Sequence, residues 1–472
     1  MHIHEQLYIG GKWTDPHSKD TIDVIDPSTE EICGRVPSGN DQDVNDAVAA
    51  AKEAFKTWGQ SSAKERSDLI KKLSEKVNEN AQKIGELCAL ELGTPLQMSI
   101  AVHGGMGMGV VGSYIDIPFE MEKEEQIGNS VIIKEPIGVC AFITPWNFPL
   151  HQIVAKVMPA LAAGCTMVLK PSSDTPLTAY FFAQLVHDCG FPAGVFNLVT
   201  GPGRTVGETM CTHPDVDMIS LTGSTEAGQR VGQLGAQTVK RVCLELGGKS
   251  ASVVLDDADV SAAAAAAGGG ICMNSGQVCA ALSRLIVPRS KQDEAVAAAK
   301  AAAEATKVGG AFEEGAFMGP VASKAQLESV VGYIQKGIDE GATLVTGGTT
   351  PPDGRNTGYF VQPTIFSDVR NDMTIAQEEI FGPVLAIIPY DTEEEAIEIA
   401  NDSIFGLSGA VWSGDPERAK RVARQIRTGQ VSVNGGSFNV MAPFGGYKQS
   451  GNGRELGHHG LTEFVELKSI QL

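Results

Sequence analysis

Residues 138–143 read GVCAFI, a short apolar run that begins a repeated pattern in the middle of this 472-residue chain. Three similar runs follow, which are CTMVLK (165–170), VFNLV (195–199) and DMISL (217–221). Each is followed by a Gly, Pro or Ser turn and then by a stretch with helical spacing. Buried strands that alternate with helices are typical of a parallel sheet with helices on both faces. The sequence therefore predicts the α/β class for this part of the chain.

A second alternating region begins near residue 250 and ends near residue 433. Its strand candidates are SASVVL (250–255), RLIVP (284–288), ATLVTGG (342–348), VLAIIPY (384–390), LSGAVWS (407–413) and GQVSVN (429–434). Helical spacing lies between them, for example in EEEAIEIAND at 393–402. The sequence thus predicts two α/β domains of similar size that meet near residue 248.

Segments outside these two regions have other patterns. Residues 43–58 and 66–91 carry apolar side chains at three- and four-residue spacing, which predicts amphipathic helices ahead of the first sheet. GNSVIIKEPIG (128–138) and EFVELKSIQL (463–472) predict strands that belong to neither core. Strands of this kind are candidates for pairing with another subunit.

Composition disfavours several kinds of partner and location. The formal net charge of −20 disfavours binding to nucleic acid or to an anionic membrane surface. The nine cysteines are scattered without a CxxC pair or a Cys/His cluster, so we expect reduced thiols and no metal site. The N-terminus lacks the apolar core of a signal peptide, and ALAAGCTMVL (160–169) is shorter than the roughly 20 residues that span a bilayer. We therefore expect a soluble cytoplasmic protein.

Two stretches carry candidate polar groups for catalysis. In TPWNFPL (144–150), Asn147 stands between an aromatic residue and a proline, so its amide is a candidate donor to a developing oxyanion; a turn-forming asparagine is the alternative. In LELGGKS (244–250), Glu245 stands between two leucines at a predicted strand end. An apolar setting raises the pKa of a carboxyl group, which makes Glu245 a candidate general base. A partly buried salt bridge is the alternative.

Two glycine-containing turns follow predicted strands and open predicted helices. LVTGPGRTVG (198–207) and LTGSTEAG (221–228) offer backbone N–H groups that can hold a phosphate, although neither matches the strict G-x-G-x-x-G pattern. Lys170 ends the predicted strand TMVLK. The two turns and this lysine together favour a dinucleotide as cofactor.

Cys279 lies in the stretch ICMNSGQVCAALSR (271–284). A cysteine becomes a reactive thiolate through local positive potential or backbone donors. Residues 274–277 predict an exposed turn or a helix end before Cys279 rather than a core segment. For this stretch alone, a structural thiol remains the more frequent alternative.

Seven motifs occur together in one order along the chain. They are TPWNFPL, KPS (170–172), LTGSTEAG, LELGGK, GQVC (276–279), QEEIFGPV (377–384) and PFGGYKQSGNGRE (443–455). This set resembles the NAD(P)-dependent aldehyde dehydrogenase family, and the resemblance covers essentially the whole chain. It implies oxidation of an aldehyde to the carboxylic acid with reduction of NAD+ or NADP+.

The resemblance also implies roles for individual residues. Cys279 matches the nucleophile that forms a thiohemiacetal and then a thioester, Asn147 and the N–H of Cys279 match the oxyanion donors, and Glu245 matches the residue that activates the hydrolytic water. Glu455 and Lys156 match positions linked to proton movement. The matching cofactor positions are Thr144, Trp146, Lys170, Ser173, Gly203, Gly223, Ser224, Glu379 and Phe381, and the matching tunnel positions are Phe148, His151, Gln152, Ala155, Phe438 and Phe444.

Two of these positions bear on specificity. Many NAD-preferring members read KPSE, whereas this chain has Ser173 in place of a carboxylate that would repel a 2′-phosphate. Its loss removes a Coulomb penalty of roughly 1–4 kcal/mol, so we expect NADP+ to be tolerated beside NAD+. Ala155 stands where acetaldehyde-type members carry tryptophan, which favours a medium or long aliphatic, or an aromatic, aldehyde. The absence of an arginine among the tunnel positions disfavours a carboxylate-bearing semialdehyde.

The family architecture implies two Rossmann-like α/β domains and a small β arm for oligomerisation. The implied boundaries are 1–118 and 136–248 for the NAD(P)-binding domain, 249–440 for the catalytic domain with an anchor loop to about 461, and 119–135 and 462–472 for the arm. The tail is expected to add a strand to a neighbour's sheet. A homodimer or homotetramer is therefore the expected assembly.

Two alternative functions share this fold. A CoA-acylating semialdehyde dehydrogenase passes the thioester to CoA, but members of that branch generally lack the glutamate that Glu245 represents here. A catalytically silent member with a binding or structural role would not need Cys279, Glu245 and Asn147. NADH production from a simple aldehyde tests the silent form, and dependence on added CoA tests the acylating form.

Overall fold

The four apolar runs of the first region are strands of one parallel sheet in a computed structural model, which describes residues 1–472. In spatial order its parallel strands are Phe196–Leu198, Thr166–Lys170, Val139–Ile143, Met218–Thr222 and Arg241–Glu245. The chain starts in the middle, adds two strands on one side, and then returns to add two on the other. Where the order reverses, the carboxyl ends of the two central strands leave a crevice, which is the usual ligand site of such sheets.

Antiparallel strands complete both edges of this sheet. Leu7–Ile9 and Lys12–Thr14 form a hairpin beside Phe196–Leu198. At the opposite edge, Gly451–Asn452 pairs with Arg241–Glu245. A segment near the C-terminus therefore reaches the first sheet next to Glu245.

Helices cover both faces of the first sheet. Along Val139–Ile143, Cys140 and Phe142 lie in one buried apolar cluster, whereas Val139 and Ala141 lie in another. Because successive side chains of a strand point to opposite faces, the two clusters are the cores of the two faces. The predicted α/β class is confirmed for this part of the chain.

The second sheet has seven strands and a similar plan. In spatial order they are Thr343–Thr346, Thr364–Ser367, Val384–Tyr390, Arg284–Pro288, Ala251–Val254, Ser408–Trp412 and Gln430–Val433, and only the first is antiparallel. All six predicted strands are present, and Thr364–Ser367 is an additional one. It has four residues and directly follows Pro363, so its apolar pattern is too short to be distinguished from a loop.

The helices connect these strands and pack on their faces. Their bounds are Asp41–Trp58, Ala63–Glu79, Ala81–Leu92, Leu96–Met98, Gly105–Ser113, Pro149–Ala163, Leu177–Cys189, Glu208–Thr212, Thr225–Gly235, Val260–Gly270, Gln292–Glu304, Lys324–Asp339, Thr374–Gln377, Glu393–Asn401, Pro416–Ala423 and Gly457–Thr462. The predicted helical stretch 66–91 is divided at Asn80, which leaves helical geometry. Residues Ser99–Gly104 form a π-helical segment, a geometry that is rare and often lies near functional sites.

Two smaller sheets lie apart from these cores. One pairs His2–Ile3 and Thr21–Ile25 with Ile32–Pro37. The other is antiparallel and contains Glu125–Ile127, Ser130–Pro136 and Val465–Gln471. The tail pairs with Ser130–Pro136 of its own chain, and its outer edge has no partner strand in the single chain, so its pairing with a neighbour's sheet stays a prediction. None of the helices combines the length and apolarity that a membrane crossing requires.

Candidate active site

Four predicted site residues lie where strands of the first sheet end. Thr144 follows Val139–Ile143, Gly223 follows Met218–Thr222, and Lys170 and Glu245 are the last residues of their own strands. The N–H of Thr144 donates to the carbonyl of Lys170 at 3.1 Å, and that of Gly223 to the carbonyl of Glu245 at 3.0 Å. The fold thus brings these sequence-distant residues to one side of the crevice.

The loop after the first central strand holds Asn147 in place. Pro149 is the first residue of helix Pro149–Ala163, a position that suits the fixed φ of proline. Asn147 is buried, and its Nδ2 donates to the carbonyl of Gln277 at 3.0 Å. A side-chain amide has two N–H groups, so the second can donate to a substrate oxygen.

Cys279 differs from the other cysteines in accessibility. All nine are free thiols, and eight are buried, whereas Cys279 is half-buried. The expectation of an exposed turn before it is wrong, because residues 274–277 are buried. Their polar groups bond to neighbouring backbone instead of water: Ser275 Oγ donates to the carbonyl of Gly319 at 2.8 Å, and Gln277 Oε1 accepts from the N–H of Ala322 at 2.8 Å.

The turn before Cys279 has an unusual backbone. Asn274, Ser275 and Gly276 have φ values of 47°, 57° and 73°, so three successive residues are left-handed. For residues with a side chain this conformation costs roughly 1–2 kcal/mol each. At Gly276 a Cβ atom would lie 2.1 Å from the carbonyl oxygen of Gly382, which requires glycine. The turn therefore depends on the contacts around it.

Burial, with two nearby carboxylates, keeps the thiol of Cys279 protonated. Burial raises the pKa of Cys279 to about 12, and the carboxylates of Glu379 and Glu245 add to the rise. At neutral pH the sulfur therefore needs a proton acceptor when it reacts. Both carboxylates are close enough to act on the thiol electrostatically.

Glu245 is a buried carboxylate without a bonding partner. Neither of its oxygens accepts a hydrogen bond from the protein, and its exposed fraction is 5%. Burial and then the charge of Glu455 raise its pKa well above the usual value. This excludes the salt-bridge alternative and leaves both oxygens available. Gly445 provides the room, because a Cβ atom there would lie 2.6 Å from Glu245 Oε1.

A buried ion pair lies beside Glu245. Lys156 is fully buried, and its Nζ donates to the carboxylate of Glu455 and to Thr222 Oγ1, the latter at 2.6 Å. Sequence patterns indicated Lys156 and Glu455 but missed Thr222 and Gly445. Thr222 and Gly445 lie inside motifs already noted. Their contacts, with Lys156 and Glu245, join residues that are distant in the sequence, and a single sequence carries no signal for a contact of that kind.

The two glycines of LELGGK allow two loops to approach. The N–H of Gly248 donates to Glu379 Oε1 at 3.0 Å, and a Cβ atom on Gly247 would lie 2.2 Å from Glu379 Oε2. A Cβ atom on Gly248 would lie 2.5 Å from the carbonyl oxygen of Cys279. Any side chain at these two positions would therefore displace Glu379 or the loop that carries Cys279.

The crevice has the chemistry that a nicotinamide dinucleotide requires. Ser224 caps helix Thr225–Gly235, and a Cβ atom on Gly223 would make only ordinary van der Waals contacts, the nearest at 3.7 Å, so the turn is not tightly packed. Free N–H groups at a helix start favour a pyrophosphate. Glu379 adds a carboxylate suited to ribose hydroxyls. Lys170 Nζ is held by the carbonyls of Pro171 and Gly201, at 2.9 and 3.2 Å.

The remaining predicted cofactor residues lie in loops or at the start of a helical turn. The rings of Trp146 and Phe381 meet edge to face with centroids 5.3 Å apart. Ser173 is half-buried, and Gly203 is exposed at the start of a π-helical turn, Gly203–Gly207. The residues present thus fit a dinucleotide from the pyrophosphate turn to Glu379.

The predicted tunnel residues fall into two groups. Phe148, His151 and Gln152 lie at the start of helix Pro149–Ala163, with the rings of Phe148 and His151 6.4 Å apart. Phe438 and Phe444 meet edge to face at 6.0 Å in the loop after the second sheet. Ala155 is different, because it has no exposed surface and packs in the main apolar core. Its role in the tunnel stays a prediction.

A Rossmann-type crevice together with a half-buried cysteine, an amide donor and an unpaired carboxylate is typical of a nicotinamide-dependent oxidoreductase. The comparisons agree: the chain belongs to the aldehyde dehydrogenase family, whose model matches residues 13–470. It is an NAD(P)-dependent aldehyde dehydrogenase, as the sequence motifs implied.

Relatives match the chain over nearly its full length. A 3-succinoylsemialdehyde-pyridine dehydrogenase from a Pseudomonas species is 47% identical over 471 residues, which cover 100% of this chain and 99% of the relative. A variant of aldehyde dehydrogenase C from Pseudomonas syringae, solved with NAD+ and octanal, has a TM-score of 0.98 and 47% identity over 99% of this chain and 96% of that one. The Mycobacterium tuberculosis enzyme solved with NAD+ has a TM-score of 0.97 and 43% identity, covering 100% and 98% of the two chains.

Proposed function

We propose that this aldehyde dehydrogenase releases its product by hydrolysis, with Cys279 as the nucleophile and Glu245 as the base. The observation that carries the proposal is that Cys279 is the one cysteine of nine that is not fully buried, and that Glu245, close enough to act on its thiol, is a buried carboxylate without a bonding partner. Asn147, tied to the nucleophile loop through Gln277, supplies the amide donor.

The first step forms a bond between Cys279 Sγ and the aldehyde carbon. The thiol proton passes to a nearby carboxylate, and the carbonyl oxygen takes up the electron pair of its π bond. Asn147 Nδ2 and the N–H of Cys279 hold the resulting oxyanion. NAD(P)+ supplies the hydride acceptor. The C–H bond of the thiohemiacetal breaks, its hydrogen leaves as hydride with the bonding electron pair, and an electron pair of the oxyanion re-forms the carbonyl as a thioester on Cys279.

The second step hydrolyses the thioester. Glu245 accepts a proton from water, whose oxygen attacks the acyl carbon; the carbon–sulfur bond breaks, and the acid leaves. Because the pKa of Glu245 is raised, this step should gain rate as pH rises through that pKa and lose rate below it. Glu455 and Lys156, buried beside Glu245, are proposed to carry the proton away from it.

The cofactor assignments are also proposals. The turn at Gly223 and Ser224 is assigned to the pyrophosphate, Lys170 and Ser173 to the adenosine ribose, and Glu379 with Phe381 to the nicotinamide ribose. Thr144, Trp146 and Gly203 line the same crevice. The helix start capped by Ser224 and the Glu379 carboxylate, one oxygen of which accepts from the N–H of Gly248, support these assignments.

Replacement of Ser173 by glutamate should reduce the use of NADP+. A carboxylate at this half-buried position would face the 2′-phosphate, and the lower end of the Coulomb range, about 1 kcal/mol, predicts roughly a fivefold fall in kcat/KM for NADP+. Steady-state kinetics with both cofactors measure this. Ser173→Gln, which adds the same bulk without charge, is the matched control; an equal fall in both variants would contradict the electrostatic explanation.

The substrate class is proposed to be a medium or long aliphatic aldehyde or an aromatic one. Two relatives support this range: one was solved with octanal, and the name of the other specifies a semialdehyde that carries a pyridine ring. Phe148, Phe438 and Phe444 offer apolar and aromatic surface for either type, with His151 and Gln152 beside them. None of these side chains is a cation that would select a distal carboxylate.

The assembly and the domain boundaries that the family resemblance implies are also proposals. The arm, residues 119–135 and 462–472, exposes Ile127, Leu467 and Ile470 and has a free strand edge, which supports a homodimer or homotetramer. Residues 1–118 and 136–248 are assigned to NAD(P) binding and 249–440 to catalysis, with the anchor loop to about 461. A cytoplasmic location remains a prediction, supported by nine free thiols.

Steady-state turnover with a panel from acetaldehyde to decanal and benzaldehyde tests the proposal. Without CoA, NADH should form with stoichiometric release of the acid, and kcat/KM should rise from acetaldehyde towards octanal or benzaldehyde. A requirement for CoA would replace hydrolysis by the acylating reaction. Best activity with acetaldehyde would contradict the proposed substrate class alone.

A further inference from the structure

The side chain of Asn274 connects the two catalytic loops. Its Nδ2 donates to the carbonyl of Asn147 at 2.8 Å and contacts the carbonyl of Gln277 at 3.4 Å. Asn147 Nδ2 donates to that same carbonyl of Gln277. One buried amide therefore holds the backbone that carries the oxyanion donor against the turn that carries Cys279.

The orientation of this amide is determined by its partners. Both carbonyls can only accept, so the nitrogen of Asn274 must face them and its oxygen must face away. That oxygen accepts from Thr94 Oγ1 at 2.7 Å. Thr94 has no role in the mechanism above, and it lies 180 residues away in the sequence.

A histidine completes the chain of donors. Thr94 Oγ1 lies 3.2 Å from His103 Nε2. Because the hydroxyl proton of Thr94 is used on Asn274, its oxygen can only accept here, so His103 must carry its proton on Nε2. Burial lowers the pKa of His103 to about 4, which keeps the ring neutral, and the ring packs on Phe148 with centroids 5.1 Å apart. His103 lies in the π-helical segment Ser99–Gly104.

We propose that Thr94 and His103 are positioning residues for the aldehyde reaction, acting through Asn274 to keep the amide of Asn147 and the N–H of Cys279 aligned on the same oxygen. The donors run in one direction, from His103 to Thr94 to Asn274 and then to the backbone of Asn147. Neither Thr94 nor His103 touches the reacting atoms. The inference rests on the proposed roles of Asn147 and Cys279.

Thr94→Val, which keeps the shape and removes the donor, is the principal test. A misplacement of the oxyanion donors by a fraction of an ångström to one ångström predicts a fall in kcat on the order of 10- to 100-fold. KM for NAD+ should stay unchanged, since the cofactor crevice is not altered. Thr94→Ser restores the hydroxyl and should restore kcat. The NADH burst in the first turnover should slow in Thr94→Val by the same factor as kcat.

Several outcomes would overturn the proposal. Equal kcat in Thr94→Val and Thr94→Ser, with only the Tm lowered in the valine variant, would leave Thr94 a purely structural role. If Thr94→Val does not fold, His103→Leu against His103→Gln repeats the test, because the Gln amide can still donate to Thr94. Equal kcat in that pair would likewise overturn it. An inactive wild-type enzyme with intact cofactor binding would instead reject the proposed function.

Discussion

Cys279→Ala should abolish aldehyde-dependent NADH formation, with a loss on the order of 10⁴-fold or more, because removal of a nucleophile eliminates the covalent route entirely. Binding of NAD+, measured by calorimetry, should persist, because the sulfur of Cys279 is proposed to react with the aldehyde and not to bind the cofactor. The rate measurement needs only cofactor absorbance with octanal or benzaldehyde.

Cys272→Ala is the matched control for this result. Cys272 lies seven positions earlier, is fully buried, and its Sγ points to the carbonyl of Gly268 at 3.4 Å. Its loss should lower the Tm slightly and leave kcat unchanged. A comparable loss of activity in both variants would mean that the thiol is structural, and full activity of Cys279→Ala would remove the covalent mechanism.

Glu245→Gln should separate the two half-reactions. A positioned base contributes about 10²–10⁴-fold, so steady-state kcat should fall within that range, while a burst of about one NADH per active site remains as the thioester accumulates. The wild-type rate should rise with pH through the raised pKa of Glu245, and the variant should lose that dependence. Rapid-mixing absorbance at several pH values measures both effects.

The charged groups around Glu245 shift the pKa that this pH profile reports. Glu455 raises its pKa further, whereas Lys156 and Arg454 oppose the rise. Glu466→Gln is the matched control. Glu466 is an exposed carboxylate on the arm that pairs with Arg241 and not with Glu245, so its change should leave both the burst and kcat unchanged. A variant Glu245→Gln without any burst would assign Glu245 to the addition step, and rescue of its turnover by added CoA would support accumulation of the thioester.

Most of the architecture could be predicted from the sequence, because apolar strand runs and helical periodicity are local patterns. The strands at 139–143, 166–170 and 218–222 were evident, whereas Thr364–Ser367 was too short to be recognised. The family motifs also indicated the catalytic residues. The roles of those residues remain proposals that the variants above address.

The burial of the turn before Cys279 could not be predicted in this way. Asn274, Ser275 and Gln277 are polar, and polar residues beside a glycine normally favour a solvent-exposed turn. Here their bonding capacity is satisfied by Thr94, Gly319 and Ala322, which lie far away in the sequence. Burial of a polar group depends on whether a distant partner reaches it, and residue type alone does not determine that.

By itself, the sequence determined the two sheets and the family and indicated the candidate catalytic side chains, because each depends on local periodicity or on a short motif. Only the tertiary structure decided which of nine cysteines is half-buried, that Glu245 has no partner, and that Asn274 joins the loops that carry Asn147 and Cys279. The physical reason is that accessibility, pKa and hydrogen-bond direction depend on the groups that surround a side chain, and those groups come from strands and loops that meet only when the chain folds.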